Sequence, residues 1–184
     1  MDIPKVLKPE EVLRLKQAIG FRGCCAKRNH AVVELMHGCG LRVSEACGLL
    51  RENFRGDVLH VSKETAKGSK SRTIPIPYET ERIVKDHLAH CRDSVWVFPT
   101  NSRSGDKCVS SGYMLRTVKR FAERAGLPGW VCNHTMRHCC ATELLHDTEA
   151  NIVDVQAVLG HSNVAITSVY VHARPDRLMN IMRG

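Results

Sequence analysis

The chain has 184 residues, enough for one ordinary domain with a sizeable core. Its 43% apolar and 25% charged content is that of a globular protein, and no apolar run approaches the ~20 residues that cross a bilayer. The start, MDIPKVLKPEEVLRLKQ, turns acidic and amphipathic where a signal peptide needs an apolar stretch, so a cytoplasmic protein with no membrane partner is expected. Lysine and arginine total 27 against 19 acids, and the net charge of +8 suits a polyanion, of which nucleic acid is the commonest.

In chain order, LKPEEVLRLKQAIG reads as a first helix. Pro9 sits near its first turn, Glu10 and Glu11 at the positive dipole end, Val12, Leu15 and Ile19 at helical spacing, and Gly20 at the stop. RNHAVVELMHGCG is a second, more apolar helix that ends in Gly38 and Gly40, and a third begins near Ser44. The period then changes. DVLHVS (57–62) and RTIPIP (72–77) alternate, and KETAKGSK between them makes a hairpin with a flexible, basic tip. Pro75 and Pro77 confine the second strand to an edge. YETERIVKDHLAHC is helical, VWVFP marks a buried turn, and SSGYMLRTVKRFAERAG is helical again. Helices over HTMRHCCATELLHD and NIVDVQAVLG follow, and the tail RPDRLMNIMRG offers Leu178, Ile181 and Met182 as an apolar face that would dock on a neighbouring copy. With no repeat and no internal linker, the expected fold is mostly α with one small antiparallel β-sheet, in a single domain over residues 1–184.

The nine cysteines do not form a disulfide pattern: Cys24–Cys25 and Cys139–Cys140 are adjacent pairs, and no C-x-x-C occurs. Reduced thiols packing as small hydrophobes are expected. CNHTMRHCC (132–140) holds five potential metal ligands in nine residues but lacks a second pair at finger spacing, so no metal is expected there.

Four separated pieces carry polar residues that core packing alone explains poorly. In GCGLRVSEACGL, Arg42 lies between a glycine-terminated helix and a new helix start, and Glu45 one turn on can reach back to its guanidinium. As a mere surface ion pair this would be worth little. In AKGSKSR, Lys67, Lys70 and Arg72 place three charges on the hairpin tip, either as a solvated turn or as a reach into a groove. In HTMRH, His134 and Arg137 stand at i and i+3, a pairing suited to phosphate oxygens, with Asn133 or Thr135 as helix cap. In LGHSNVAITSVYVHA, His161 follows a glycine stop and Tyr170 comes nine residues later.

Together, GLRVSEACGL, KGSKSRTIPIP, HTMRHCCATELL and VQAVLGHSNVAITSVYVHA resemble the motif series of the tyrosine site-specific recombinases, which include Xer-type enzymes, phage and integron integrases and fimbrial inversion recombinases. The resemblance runs from about residue 7 to 173, with the motifs in the family's order. It implies the tyrosine recombinase catalytic-domain fold of DNA breaking–rejoining enzymes, without the N-terminal core-binding domain of larger members. The chain would then be an excised catalytic domain or a short recombinase like the fimbrial inversion enzymes. By position, the resemblance implies a catalytic set of Arg42, Lys67 (with Lys70 as fallback), His134, Arg137, His161 and the nucleophile Tyr170, with Glu45 in support and Lys70 and Arg72 toward DNA.

The chemistry implied is cleavage and rejoining of double-stranded DNA at a specific site through a 3′-phosphotyrosyl link, on a homo-oligomer that is a tetramer in the synaptic complex. The covalent link conserves the bond energy, so no cofactor, metal or ATP is expected, and no P-loop or carboxylate metal cluster is seen. Rival readings are a type IB topoisomerase, which would relax supercoils without a partner site, and a DNA- or zinc-binding module, which would form no covalent adduct.

Overall fold

A computed structural model describes residues 4–62, 71–100, 106–147 and 150–160. Lys67, Lys70, His161 and Tyr170 lie outside the described residues, as does the tail expected to dock on a neighbour.

Helix α1 (Pro9–Ile19) starts and stops where its sequence directs. Glu11 accepts the Lys8 N–H (2.9 Å), Val12, Leu15 and Ile19 are buried, and Gly20 closes the end. Helix α2 (Cys24–Gly38) is the central rod: every residue from Arg28 to Met36 is buried, as a helix must be when covered on all sides. It packs against α1, α4 (Tyr78–His90) and α6 (Asn133–Asp147). The short α3 (Val43–Cys47) follows at once, and α5 (Ser111–Arg124) packs on α1, α3 and α6 with Ser110 as its N-cap, accepting the Tyr113 N–H (3.1 Å). Helix α7 (Ile152–Leu159) is capped by Asn151, whose side chain accepts the N–H groups of Val153 (2.8 Å) and Asp154 (3.1 Å), while Asp154 accepts that of Asn151 (2.9 Å).

The sheet is antiparallel in the order β1 (Phe54–Arg55), β2 (Val58–Val61), β3 (Arg72–Pro75). Its hairpin is the expected one, with Leu59 opposite Ile74 and Val61 opposite Arg72, and the proline-bearing β3 is an edge strand. The sequence reading lacked β1, because two residues are too few to show a period. The expected buried turn at VWVFP is threaded between two other segments. Leu50 bridges Trp96 and Pro99 bridges Cys108, sealing Val97 and Phe98 in the core.

One apolar core runs from Leu7 to Cys139, and a smaller cluster of Ala141, Leu145, Val155 and Leu159 joins the second half of α6 to α7. Cys39, Cys47, Cys139 and Cys140 are buried free thiols. Burial pushes them up to about 12, 12, 11 and 12, so they pack as inert hydrophobes, as expected. No helix among the described residues is long and apolar enough to cross a membrane.

Candidate active site

The centre of the site is Glu45, a carboxylate only 1% exposed. It occupies the first turn of α3, where an acid suits the free N–H groups and positive dipole end. Its Oε2 accepts the Arg42 backbone N–H (2.9 Å), and its Oε1 accepts from Arg42 Nη1 (3.1 Å). Arg72 closes a two-pronged fork on the same carboxylate, with Nη1 3.0 Å from Oε1 and Nη2 2.8 Å from Oε2. Arg137 Nη1 stands 4.0 Å from Oε2. Burial by itself disfavours the charge on Glu45. The Arg72 fork, then the Arg42 backbone N–H and the charge of Arg137, outweigh it and hold the carboxyl down at about 2.

Among the described residues, three guanidinium groups therefore converge on one carboxylate. Forked donors of this kind match the oxygens of a phosphate. Of the three side chains, that of Arg42 is the most open, at 29% exposed against 8% for Arg72 and 6% for Arg137.

The end of α7 is built into the cluster. Its last carbonyls would otherwise be orphaned, but Val158 accepts from Arg72 Nε (2.8 Å) and Leu159 from Arg137 Nη2 (2.7 Å). Arg137 Nη1 also donates to the Gly40 carbonyl. Two glycines make these approaches feasible. Gly40 turns the chain out of α2 at φ 62°, and a Cβ there would meet Leu159 Cδ2 at 2.7 Å. Gly160 ends α7 in the left-handed region at φ 67°, and a Cβ there would lie 2.8 Å from Arg72 Nη1. The expected helix break at Gly160 is thus present, with the arginine seated directly on it.

The structure brings Arg42, Glu45, Arg72 and Arg137 together from three separated segments. His134 lies in the first turn of α6, one turn before Arg137, yet the two differ in burial. His134 is exposed, with its ring 6.4 Å from that of His138, whereas Arg137 is buried against backbone carbonyls. Burial, helped by the charges of His134 and Arg137, holds His138 below the ordinary histidine range. Thr135 takes the capping place, accepting the Cys132 N–H at 3.0 Å. Arg72 differs from its expected place on an exposed tip. Its side chain is 8% exposed and forked onto Glu45, because it shares the inward face of the strand with Ile74. The alternation of RTIPIP contained that signal, whereas the reading of AKGSKSR as one basic turn obscured it. Among the described residues, no group of three histidines, cysteines or acids is arranged to hold a metal.

The sequence profile of the phage integrase family matches residues 5–177. The tyrosine recombinase XerD of Corynebacterium glutamicum is 34% identical over 190 residues, covering 99% of this chain and 61% of that protein. The chain thus spans about three-fifths of the length of such relatives. Among solved structures, the XerA recombinase superposes over the whole chain and 65% of its own, with a TM-score of 0.79 and 25% identity. The Tn1549 transposon integrase in complex with transposon right end DNA shares the fold, with a TM-score of 0.81 at 23% identity over 98% of this chain and 66% of its own. Four arginine and glutamate positions drawn from three segments, on this fold and under this profile, place the chain in the phage integrase family.

Proposed function

We propose that the chain is the catalytic domain of a site-specific DNA recombinase that cuts and rejoins double-stranded DNA through a 3′-phosphotyrosyl intermediate. The observation that carries this reading is the convergence, among the described residues, of three guanidinium groups on one buried carboxylate, with Arg42 the most open of them. A phosphodiester is anionic, and its transition state gathers further charge on the nonbridging oxygens. Arginine forks at Arg42 and Arg137 suit that charge, and an ionised Glu45 fixes where they stand.

In this reading Tyr170 attacks phosphorus and the bond to the 5′ oxygen breaks. Tyrosine ordinarily ionises near 10, so it gives up its proton during attack, with His134 as acceptor or relay. His161 adds a donor toward the phosphate, and Lys67, with Lys70 as the alternative, protonates the leaving 5′ oxygen. The hydroxyl of a partner duplex then reverses the step. The bond energy is kept in the phosphotyrosyl link, so neither metal nor ATP takes part. Exchange between two duplexes requires four copies of the chain.

The test is Tyr170→Phe against the unaltered chain, on nicked suicide duplexes selected from a randomised pool by binding. The unaltered chain should form a covalent protein–DNA adduct in the presence of a chelator and without ATP, and the variant none. An adduct that survives in Tyr170→Phe, or none from the unaltered chain, overturns the reading.

A further inference from the structure

We propose that Arg72 is a positioning residue for this reaction, resting on the recombinase reading above. It registers the end of α7 against Glu45, and so sets where the chain sets out from Gly160 toward His161 and Tyr170.

Four contacts carry the inference. Arg72 enters at the first residue of β3, with its backbone held opposite Val61 in the hairpin. Its two terminal nitrogens fork onto Glu45, at 3.0 and 2.8 Å, and Nε donates to the Val158 carbonyl at 2.8 Å. The guanidinium also lies close against Gly160, where even a methyl group would come within 2.8 Å of it. One planar group thus links a strand, the N-terminal turn of α3 and the C-terminal turn of α7. The side chain is 8% exposed, and its fork is already engaged by the carboxylate, so it is poorly presented to a DNA phosphate. A lysine could supply the charge but not the fork plus the third donor.

The geometry matters because Gly160 is the last described residue before the segment that bears His161 and Tyr170. A displacement of about 1 Å at a reacting group can cost roughly a hundredfold in rate. Arg72 does not touch the reacting atoms in this account; it acts through Glu45 and through the seat of α7.

The experiment compares Arg72→Met, Arg72→Lys and Gly160→Ala with the unaltered chain in three readouts. The first is the rate of adduct formation on the selected suicide duplex. The second is the slope of log Kd against log salt on a mixed-sequence duplex, and the third is amide exchange across residues 152–160. We expect adduct formation to fall roughly a hundredfold in Arg72→Met and at least about tenfold in Arg72→Lys and Gly160→Ala. The salt slope should stay unchanged, and exchange in α7 should rise. A slope shallower by about one, with binding and cleavage falling together, would make Arg72 a phosphate contact and overturn the proposal. Unchanged cleavage or unchanged α7 exchange in all three variants would overturn it too. If Arg72→Met fails to fold, Arg72→Lys, which keeps the charge but not the fork and third donor, decides. If the unaltered chain forms no adduct, the recombinase reading fails, while the exchange arm still decides whether Arg72 seats α7.

Discussion

Two buried carboxylates lie close in sequence, and their surroundings differ in kind. Glu34, inside α2, is 5% exposed and meets Lys16 of α1 (2.8 Å) and His30 one turn earlier (3.2 Å). Lys16 Nζ also lies 3.4 Å from His37 Nδ1, and His37 reaches Glu143 of α6 at 3.0 Å, so acids and bases alternate through the group. Burial disfavours the charge on Glu34, but the His30 hydrogen bond and Lys16 more than compensate, and its carboxyl lies below the ordinary value. Glu45 meets three arginines from separated segments and, among the described residues, is outnumbered by them. Burial with a matched number of charges is a way to join helices. Burial with a surplus of one sign is a way to wait for a ligand of the other sign.

Four measurements break or sharpen this contrast, beginning with the largest effect. Glu45→Gln should slow adduct formation roughly a hundredfold. It should also destabilise the fold by about 3–5 kcal/mol, because buried guanidinium groups lose their counter-charge. Its pH signature has a definite sign. The Glu45 carboxyl lies at about 2 in the fold against an ordinary 4.5, so its stabilising contribution is complete above about 4.5 and disappears as pH falls toward 2. Acid unfolding between those values, followed by circular dichroism, should be shallower in the variant.

Glu34→Gln should lower stability by about 1–3 kcal/mol yet leave adduct formation within about twofold, since among the described residues its partners Lys16 and His30 take no part in the arginine cluster. A large loss of cleavage in this variant would erase the distinction between the two carboxylates. His87 tests burial without an ion pair among the described residues. It is 2% exposed, its Nε2–H donates to the Val97 carbonyl (2.9 Å), its ring stacks on Phe98, and its Nδ1 has no partner among the described residues. Burial, then the nearby Arg28 and Arg51 charges, pull it down to about 4 against the bond to Val97. The unfolded chain takes up this proton below about 6.5 and the folded chain does not, so stability should decline from pH 6.5 toward 4. The slope approaches about 1.4 kcal/mol per pH unit and should flatten in His87→Phe. The smallest effect belongs to the exposed Glu79–Arg82 pair on α4, where Glu79→Gln should leave Tm unchanged within error.

The parts of the fold that rest on local periodicity were legible in the sequence. The Val12–Leu15–Ile19 stripe, the two alternating runs of the hairpin and the glycine stops at Gly20 and Gly160 each encode their own element. The link between Arg42 and Glu45 was legible too, because a separation of three residues on a helix is a local distance. Contacts across the chain were not. Arg72 and Val158 are 86 residues apart, and Arg137 and Gly40 are 97 apart, so no spacing rule joins them. The charge run around Lys67 and Lys70 also drew Arg72 into the tip, although its place in RTIPIP puts it on the strand.

That place on the strand makes the site a matter of parity. Arg72 and Ile74 occupy the even positions of β3 and Ile76 follows just past its end, and all three turn inward, while Thr73 and Pro75 face out. Lengthening or shortening the tip upstream leaves this parity intact, because the pairing of Val61 with Arg72 and of Leu59 with Ile74 sets it. A slip of β3 by a single residue would turn Ile74 and the guanidinium outward together. The apolar core and the arginine cluster therefore share one register check: a hairpin closed out of step loses its core contacts and its charge cluster in the same event, and only a hairpin closed in step presents Arg72 to Glu45.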